Sequence, residues 1–219
     1  EIEFASVDDS SSITISYSNI EGGQDSIVTN ENGTVTWGDG NIDVDPRFID
    51  SENSNYHLLA SSQCINGGDP DSTDSDGTRA DMGAYPYLTD NTEPVWYINT
   101  AGNDTTGTGT SVNPFASIQA GINFANDTDS VTVAAGTYVE NINFRGRNIK
   151  VVGEDRETTI IDGDSLNSVV RFVASDQSYT ATLKNFTVRN GFGIPYEDYG
   201  WYGGSGVYVE NEGEFLTTA

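Results

Sequence analysis

The sequence has one cysteine, one histidine and one methionine among its 219 residues. A single cysteine, Cys64, cannot form an internal disulfide. A catalytic thiol needs a base beside it, and the only histidine, His57, lies seven residues away in the segment NYHLL. The surroundings of Cys64, SSQCINGG, indicate a buried structural residue. A cysteine–histidine enzyme is therefore not expected.

Basic residues and long apolar runs are also scarce. Nine lysine and arginine residues face 34 acidic ones, which gives a formal net charge of −25. That charge repels a phosphate backbone and an anionic bilayer, so nucleic acid is not an expected partner. No apolar run is long enough to span a membrane, and no membrane insertion is expected. The acidity is typical of a secreted or cell-surface protein, although any soluble acidic protein shares it.

Short alternating segments dominate what is present. The segments SSITISYSNI (residues 11–20) and GTVTW (33–37) alternate apolar and polar residues, which predicts half-buried strands. Glycine is abundant, with 24 residues, and turn sequences such as NENG and WGDGN separate the strands. The polar segment LTDNTEP, residues 88–94, ends in proline and predicts a boundary between a first domain, 1–90, and a second, 91–219.

One helix is predicted, over residues 114–125 in NPFASIQAGINFAND. Asn113 is the expected N-cap and Pro114 suits the first turn. After this helix, pairs and triplets of short strands recur. Valines at 152, 170, 188 and 207 are spaced by 18, 18 and 19 residues, which favours the coils of a solenoid with valine and isoleucine ladders inside.

Residues 95–219 resemble the first coils of right-handed parallel β-helix proteins of the pectin-lyase-like superfamily. The resemblance is carried by the helix, which would be the N-terminal cap, and by VAAGTYVENI, which would be the first complete coil. Residues 41–88, DVDPRFID to GAYPYL, resemble the C-terminal end of the same kind of repeat protein. The resemblance implies an all-β fold with two partial β-helices, 1–90 holding C-terminal coils and 91–219 the cap and first coils of a second.

The resemblance also implies what is missing. Pectin-degrading members carry paired aspartates with a histidine, or a lysine or arginine base beside a calcium cluster. Residues 95–219 contain no histidine, and Arg171 and Arg189, which are 18 residues apart, could stack on adjacent coils without an acidic cluster one coil away. The fold alone carries no activity. No catalytic residues are therefore predicted, and a polysaccharide lyase or glycoside hydrolase is the enzyme class left open.

The strongest candidate site is the loop GGDPDSTDSDGTRADMGAY, residues 67–85. Calcium takes six to eight oxygens, and closely spaced aspartates let a short loop wrap one ion. Ligands of a structural calcium ion are expected from Asp69, Asp71, Asp74, Asp76, Asp81 and the Thr78 carbonyl. The EF-hand register is not met, because its twelfth position would be Gly83. The alternative is a turn in which the aspartates cap backbone amides and Arg79 pairs with one of them.

Two further groups stand out. Asp39, Asp43, Asp45 and Asp50 form a second acidic group around Arg47, for which turn formation is favoured over ligand binding. The segment GIPYEDYGWYGG concentrates aromatic residues that can stack on sugar rings or on a partner, or fold over the side of a coil. The aromatic residues of that candidate ligand-binding loop are Tyr196, Tyr199, Trp201 and Tyr202.

Three functions stay open. The first is a non-catalytic extracellular structural or adhesive module that assembles head-to-tail into a filament, with calcium as a brace. The second is a carbohydrate-binding β-helix, and the third is part of a secreted polysaccharide lyase or hydrolase whose active coils lie elsewhere. Both ends of the chain read as the middle of a strand array, which favours either a piece of a longer chain or copies that complete one another by strand addition.

Overall fold

The computed structural model describes residues 2–4, 11–174, 180–195, 202–203 and 206–211. The chain divides into two compact units, with the division between Thr89 and Asp90. The structure is mostly β, with parallel sheets, one α-helix and two short 3₁₀ turns in the described residues. No described helix has both the length and the apolar character needed to cross a bilayer.

Four short strands lie in the described part of the first unit. They are β1 (Ser11–Ile15), β2 (Gly33–Trp37), β3 (Phe48–Asp50) and β4 (Asn55–Leu58). Strand β1 pairs with β2 in parallel, and parallel bridges join Glu3 to Val28 and Asn19 to Ile42. The stretches around Glu3, β1 and Asn19 thus lie, in that order, beside those around Val28, β2 and Ile42. Strands β3 and β4 pair in the antiparallel direction, and the chain from residue 59 to residue 89 is held mainly by turns.

The described residues of the second unit form twelve short strands and the helix. In order they are β5 (Val95–Ile98), α1 (Ile118–Phe124), β6 (Ser130–Val133), β7 (Gly136–Val139), β8 (Ile142–Asn143), β9 (Lys150–Gly153), β10 (Thr159–Asp162), β11 (Val170–Ala174), β12 (Thr182–Lys184), β13 (Thr187–Arg189), β14 (Ile194–Pro195), β15 (Tyr202–Gly203) and β16 (Val207–Asn211). Strands β14 and β15 form a small antiparallel pair. The others form three parallel sheets.

Each sheet takes one strand from each successive stretch of chain. The orders are β5-β6-β9-β12, β7-β10-β13 and β8-β11-β16. The pairing residues lie 20 positions apart between Ser130 and Lys150, but 37 positions apart between Val170 and Val207. The stretches therefore differ in loop length while the parallel register is kept. The short strands predicted after the helix are confirmed in the described residues, where β6 and β7, then β9 and β10, then β11 to β13 follow one another.

Each of the three sheets buries apolar side chains on one face, because alternate residues of a strand point to opposite faces. In the first sheet, Trp96 pairs with Val131 and Val131 with Val151, and all three are buried. In the third sheet, Phe144 follows β8 and stacks on Phe172 of the neighbouring strand β11, with 4.2 Å between ring centroids. Burying such a side chain stabilises the fold by about 1.5–3 kcal/mol.

The predicted 18-residue valine period is wrong. Val152 lies in β9 of the first sheet and Val188 in β13 of the second, so neither stacks on Val170 of β11. Only Val170 and Val207 pair. Each turn of chain carries several strands separated by loops of unequal length. A step of 18 residues therefore leads from a valine in one sheet to a valine in a different sheet.

Arg171 and Arg189 do not stack on adjacent coils either, since they belong to different sheets. The guanidinium of Arg171 lies 5.7 Å from the ring centre of Tyr208, its register partner in β16. Arg189 donates from Nε to the carboxylate of Asp162 at 2.8 Å, in the neighbouring strand of its own sheet. Each arginine thus bridges two neighbouring strands of its own sheet.

The helix begins later than predicted. It covers Ile118–Phe124, and Ser117 rather than Asn113 is the N-cap, with its side chain accepting from the Ala120 N–H. Phe115 is not helical because it forms a parallel bridge with Ile98 at the open edge of β5. Every residue of the helix is buried. Apolar residues spaced as on one helix face are fully buried as well: Phe115, Ile118, Ile122 and Ala125.

Two side chains fix the helix to the strands. The carboxylate of Glu140 accepts from the N–H groups of Ile118 at 2.8 Å and Gln119 at 3.0 Å. The Gln119 side chain in turn accepts from the N–H of Asn143 at 2.8 Å and donates to its carbonyl at 3.2 Å. The amide of Gln119 therefore occupies the place of a strand partner at the edge of β8.

Candidate functional site

The acidic loop, residues 67–85, is built around a tight turn. Thr73 and Arg79 form an antiparallel bridge, and the Asp74 N–H donates to the Thr78 carbonyl at 2.9 Å. The Gly77 N–H closes the turn by donating to the Asp74 carbonyl at 3.0 Å. Gly77 has φ of 86°, in the left-handed region that favours glycine.

Two of the aspartates tie the loop together. Asp74 accepts from the Asp81 N–H at 2.9 Å. Asp76 accepts from the N–H and hydroxyl of Thr78 at 3.0 and 2.7 Å, and from the Thr89 N–H at 2.9 Å. Burial on its own would raise the pKa of Asp76, but the hydrogen bonds from Thr89 and Thr78 outweigh it and lower that pKa. Asp76 therefore stays ionised near neutral pH.

Asp81 lies deeper and behaves differently. Its two carboxylate oxygens accept from the N–H groups of Asn66 and Tyr87, each at 2.7 Å. Burial raises the pKa of Asp81 to about 6, the two hydrogen bonds oppose that rise, and the charges of Asp74 and Asp76 add to it. Asp81 is the carboxylate of the loop that titrates closest to neutral pH among those whose pKa is shifted.

Asp69 and Asp71 are less involved. Asp69 accepts from the Asp71 N–H at 2.9 Å, and the carboxylate of Asp71 makes no hydrogen bond within the described part of the chain. Arg79 does not pair with an aspartate there. Its Nε donates to the Gly68 carbonyl at 2.7 Å, and its guanidinium lies 5.6 Å from the ring centre of Tyr17.

The predicted calcium ligands thus share one loop, and most of their oxygens hold backbone amides. Within the described ranges, no three or more histidine, cysteine, aspartate or glutamate side chains are grouped so as to hold a metal ion. The Thr78 carbonyl already accepts a hydrogen bond from Asp74. Calcium binding stays a prediction of the sequence, and the loop geometry is that of a turn capped by carboxylates.

No family model, curated protein or solved structure matches the chain. The resemblance to pectin-lyase-like proteins therefore stays an expectation drawn from the residues. The geometry of the described residues carries the functional argument.

A cleft of about 1170 Å³ lies beside the acidic loop within the first unit. Asp69, Asp81 and Gly68 of the loop line one side, and residues 16–21, residues 43–46 and Phe48 line the others. Cys64 is 2% exposed, which confirms its predicted burial, and it lines the floor. The Cys64 sulfur accepts from the side-chain amide of Asn19 at 3.5 Å. His57 instead stacks on Tyr85, with ring centroids 4.5 Å apart.

In the second acidic group, Asp45 and Asp50 cap local turns, as favoured from the sequence, whereas Asp43 accepts from a residue 21 positions away. Asp43, Asp45 and Asp50 each accept a backbone hydrogen bond. The donors are the N–H groups of Gly22, Arg47 and Asn53, respectively. Asp43 and Asp45 also line the cleft.

A smaller groove of about 480 Å³ lies along the first sheet of the second unit, at the ends of β5, β6 and β9. Tyr97, Thr132 and Val152 stand side by side across β5, β6 and β9 in this groove. Residues near the rim are polar or turn-forming. They include Asn99, Ser111, Pro114, Glu154 and Asn185. Hydroxyls, amides and one aromatic ring on a flat surface suit a polyhydroxylated ligand.

Sequence reasoning missed both the cleft and the groove. In VWYI, the alternation that buries Trp96 places Tyr97 on the opposite face, and that signal was readable. The loops that turn each flat surface into a depression come from distant parts of the chain and have no local pattern. The predicted aromatic site is not described: Tyr196, Tyr199 and Trp201 lie outside the described residues. The backbone of Tyr202 pairs with Pro195.

Proposed function

We propose that the chain is a non-catalytic structural module made of stacked parallel β coils, of the right-handed β-helix type, that works outside the cell or on its surface. The observation that supports this most is the continuous parallel register of three sheets in residues 95–211. A right-handed connection is the expected one for parallel strands joined in this order. Such stacks are rigid, extended scaffolds stabilised by contacts between neighbouring coils.

Head-to-tail assembly is the second part of the proposal. Among the described residues, β12, β13 and β16 are edge strands, and strand edges accept further strands. Val207 and Val209 of β16 are 44% and 43% exposed. Phe115 covers the edge of β5, so that end of the second unit is closed to a further strand. The open end at β12, β13 and β16 would therefore be met by the parallel pair β1–β2 in the first unit of a second copy, or by the rest of a longer chain. A contact that does not close on itself builds a filament.

The assembly is tested by sedimentation velocity and electron microscopy over a range of concentrations, with and without calcium. We expect concentration-dependent rods that are lost in Val209→Lys, because a lysine on an edge strand opposes pairing. Val112→Lys is the matched control, since Val112 is 92% exposed and lies outside the strands. A monomeric wild-type chain at high concentration would contradict the assembly.

The non-catalytic part is tested separately, by incubating the chain with pectin, alginate and related acidic glycans. We expect neither unsaturated products nor new reducing ends. Appearance of either product, in proportion to the amount of chain added, would show that it is an enzyme and overturn this part of the proposal.

A second candidate function is carbohydrate binding, favoured by the groove over β5, β6 and β9. The ring of Tyr97 would stack on a sugar, and the polar rim would donate and accept hydrogen bonds. Affinity electrophoresis in gels containing soluble polysaccharides tests it. We expect retardation that Tyr97→Ala abolishes and Tyr56→Ala preserves, since Tyr56 is an exposed tyrosine of the first unit. Equal retardation of both variants would remove this candidate.

A further inference from the structure

The cleft of the first unit has apolar walls. At about 1170 Å³ it has room for a small organic molecule or for a side chain of a partner. Apolar residues contribute from four separate segments of the chain. They include Ile20, Val44, Pro46, Phe48, Cys64 and Met82. This surface would favour a ligand with an apolar stem over a fully hydrated ion.

The ionisable side chains that line the cleft are acidic. Five carboxylates line it, and the described lining residues include no lysine, arginine or histidine. The five belong to Glu21, Asp43, Asp45, Asp69 and Asp81. Each of the four aspartates holds at least one backbone N–H, whereas Glu21 makes no hydrogen bond in the described part of the chain. A cleft with low-dielectric walls focuses the field of such charges and attracts cations.

The chain itself already places a cation against this wall. The guanidinium of Arg79 lies 5.6 Å from the ring centre of Tyr17, and its Nε donates to the Gly68 carbonyl at 2.7 Å. Tyr17 and Gly68 both line the cleft. The ring is held in place by Gly40, where an added Cβ would lie 2.1 Å from a ring carbon. A cation on an alkyl stem, held by an aromatic face and a carbonyl oxygen, is therefore compatible with this wall.

We infer that the cleft of the first unit binds an organic cation, an ammonium or guanidinium group on an apolar stem. A metal ion fits less well, because the carboxylates are spread around the cleft and no three of them are grouped as metal ligands in the described ranges. An anion would be repelled. The site is independent of the proposed scaffold function, since it lies in the first unit and uses none of the three sheets of the second.

Calorimetry with two probes tests the inference: spermidine, a free polyamine, and the tripeptide Gly-Lys-Gly, a basic side chain on a peptide. We expect saturable binding of at least one probe with one site per chain, and the probe that binds more tightly identifies the source of the cation. The double variant Glu21→Gln/Asp43→Asn should bind about tenfold more weakly. The Asn introduced at position 43 keeps an oxygen that can accept from the Gly22 N–H.

The matched control is Asp25→Asn/Glu31→Gln, which removes the same charge from exposed side chains that do not line the cleft. It should bind like the wild type. Equal weakening in both double variants would show diffuse attraction to a chain of charge −25 and would overturn the inference, as would the absence of saturable binding.

A second measurement needs no variant. Met82 is the only methionine of the chain and lines the cleft, so a ¹³C-methyl methionine label gives a single NMR signal from this site. We expect that signal to move during the titration with the same saturation curve as the heat. A methyl signal that stays unchanged while heat is released would place the binding elsewhere and overturn the inference.

Discussion

The side-chain amide of Gln119 pairs with both backbone groups of Asn143, accepting from its N–H at 2.8 Å and donating to its carbonyl at 3.2 Å. Gln119 is 4% exposed, so water does not replace these bonds readily. In the first unit, Asn19 does the same to Val44, donating to its carbonyl at 2.9 Å and accepting from its N–H at 3.1 Å. One side chain thus satisfies a strand edge that has no neighbouring strand.

Replacing Gln119 by leucine should destabilise the second unit by about 1–3 kcal/mol, because two backbone groups of Asn143 lose their partners in a buried place. Urea unfolding measures the loss, and amide hydrogen exchange at Asn143 should accelerate with it. Gln24→Leu, at an exposed position, is the control and should change stability little. Unchanged exchange at Asn143 in Gln119→Leu would contradict this role.

Phe144→Ala should cost about 3–5 kcal/mol, since it removes a fully buried ring that stacks on Phe172 at 4.2 Å. Phe192→Ala removes the same group from a position that is 53% exposed, and should cost about 1 kcal/mol or less. Thermal unfolding followed by far-UV circular dichroism compares the two. Similar losses in both variants would mean that the ring stack does not stabilise the coils.

The stability of the first unit should fall as pH rises from 5 to 7. The pKa of Asp81 is raised to about 6 in the fold, from 3.8, so the folded chain holds that proton more tightly than the unfolded chain. Its contribution is present below the unfolded pKa and is lost as pH rises through the folded one, by at most about 3 kcal/mol in all, of which about half is lost between pH 5 and pH 7. Asp76, whose pKa is lowered, stays ionised throughout this window.

NMR titration of the Asp81 carboxyl carbon checks that pKa, and hydrogen exchange of the first unit checks the stability change. In Asp81→Asn the change in stability between pH 5 and pH 7 should shrink. A midpoint for Asp81 near 4 would remove the basis of this prediction.

Calcium should raise the melting temperature of the first unit if the acidic loop binds it, by a free energy of about 3 kcal/mol at a hundredfold excess over the dissociation constant. Asp76→Ala should lower stability even without calcium, because three hydrogen bonds to its carboxylate are lost. The informative quantity is therefore the shift on adding calcium. Asp71→Asn is the cleaner variant, since the Asp71 carboxylate makes no hydrogen bond in the described residues. A wild-type melting temperature that ignores both calcium and chelator would end the calcium hypothesis.

The sequence predicted local structure better than pairing. Alternating apolar and polar residues identified the strands after the helix, and apolar residues three or four positions apart identified the helix. Both patterns arise because an element that buries one face repeats its apolar residues with its own period. The start of the helix was misplaced because the backbone of Phe115 is taken by β5, a long-range contact that outweighs the capping preference of Asn113. The valine spacing misled for a similar reason. The loops between strands differ in length, so a constant number of residues does not lead from one strand to the strand that pairs with it.

The aspartates of the acidic loop show the same limit. Their clustering was readable, and so was the turn at Gly77. Which backbone amide each carboxylate holds was not readable, because the donors at Asn66, Tyr87 and Thr89 come from outside the cluster. The composition indicates that the carboxylates of the loop need compensating partners. Only the folded chain shows which backbone amides those partners are.

The unequal steps between paired residues, 20 positions from Ser130 to Lys150 and 37 from Val170 to Val207, have a consequence for engineering. The ladder of hydrogen bonds counts pairs and ignores the length of chain between them, and doubling a loop costs only about 0.6 kcal/mol in closure entropy. Foreign peptides grafted between β11 and β12, or between β13 and β16, should therefore leave the register intact. The fold is suited to display inserted sequences at fixed intervals along its length.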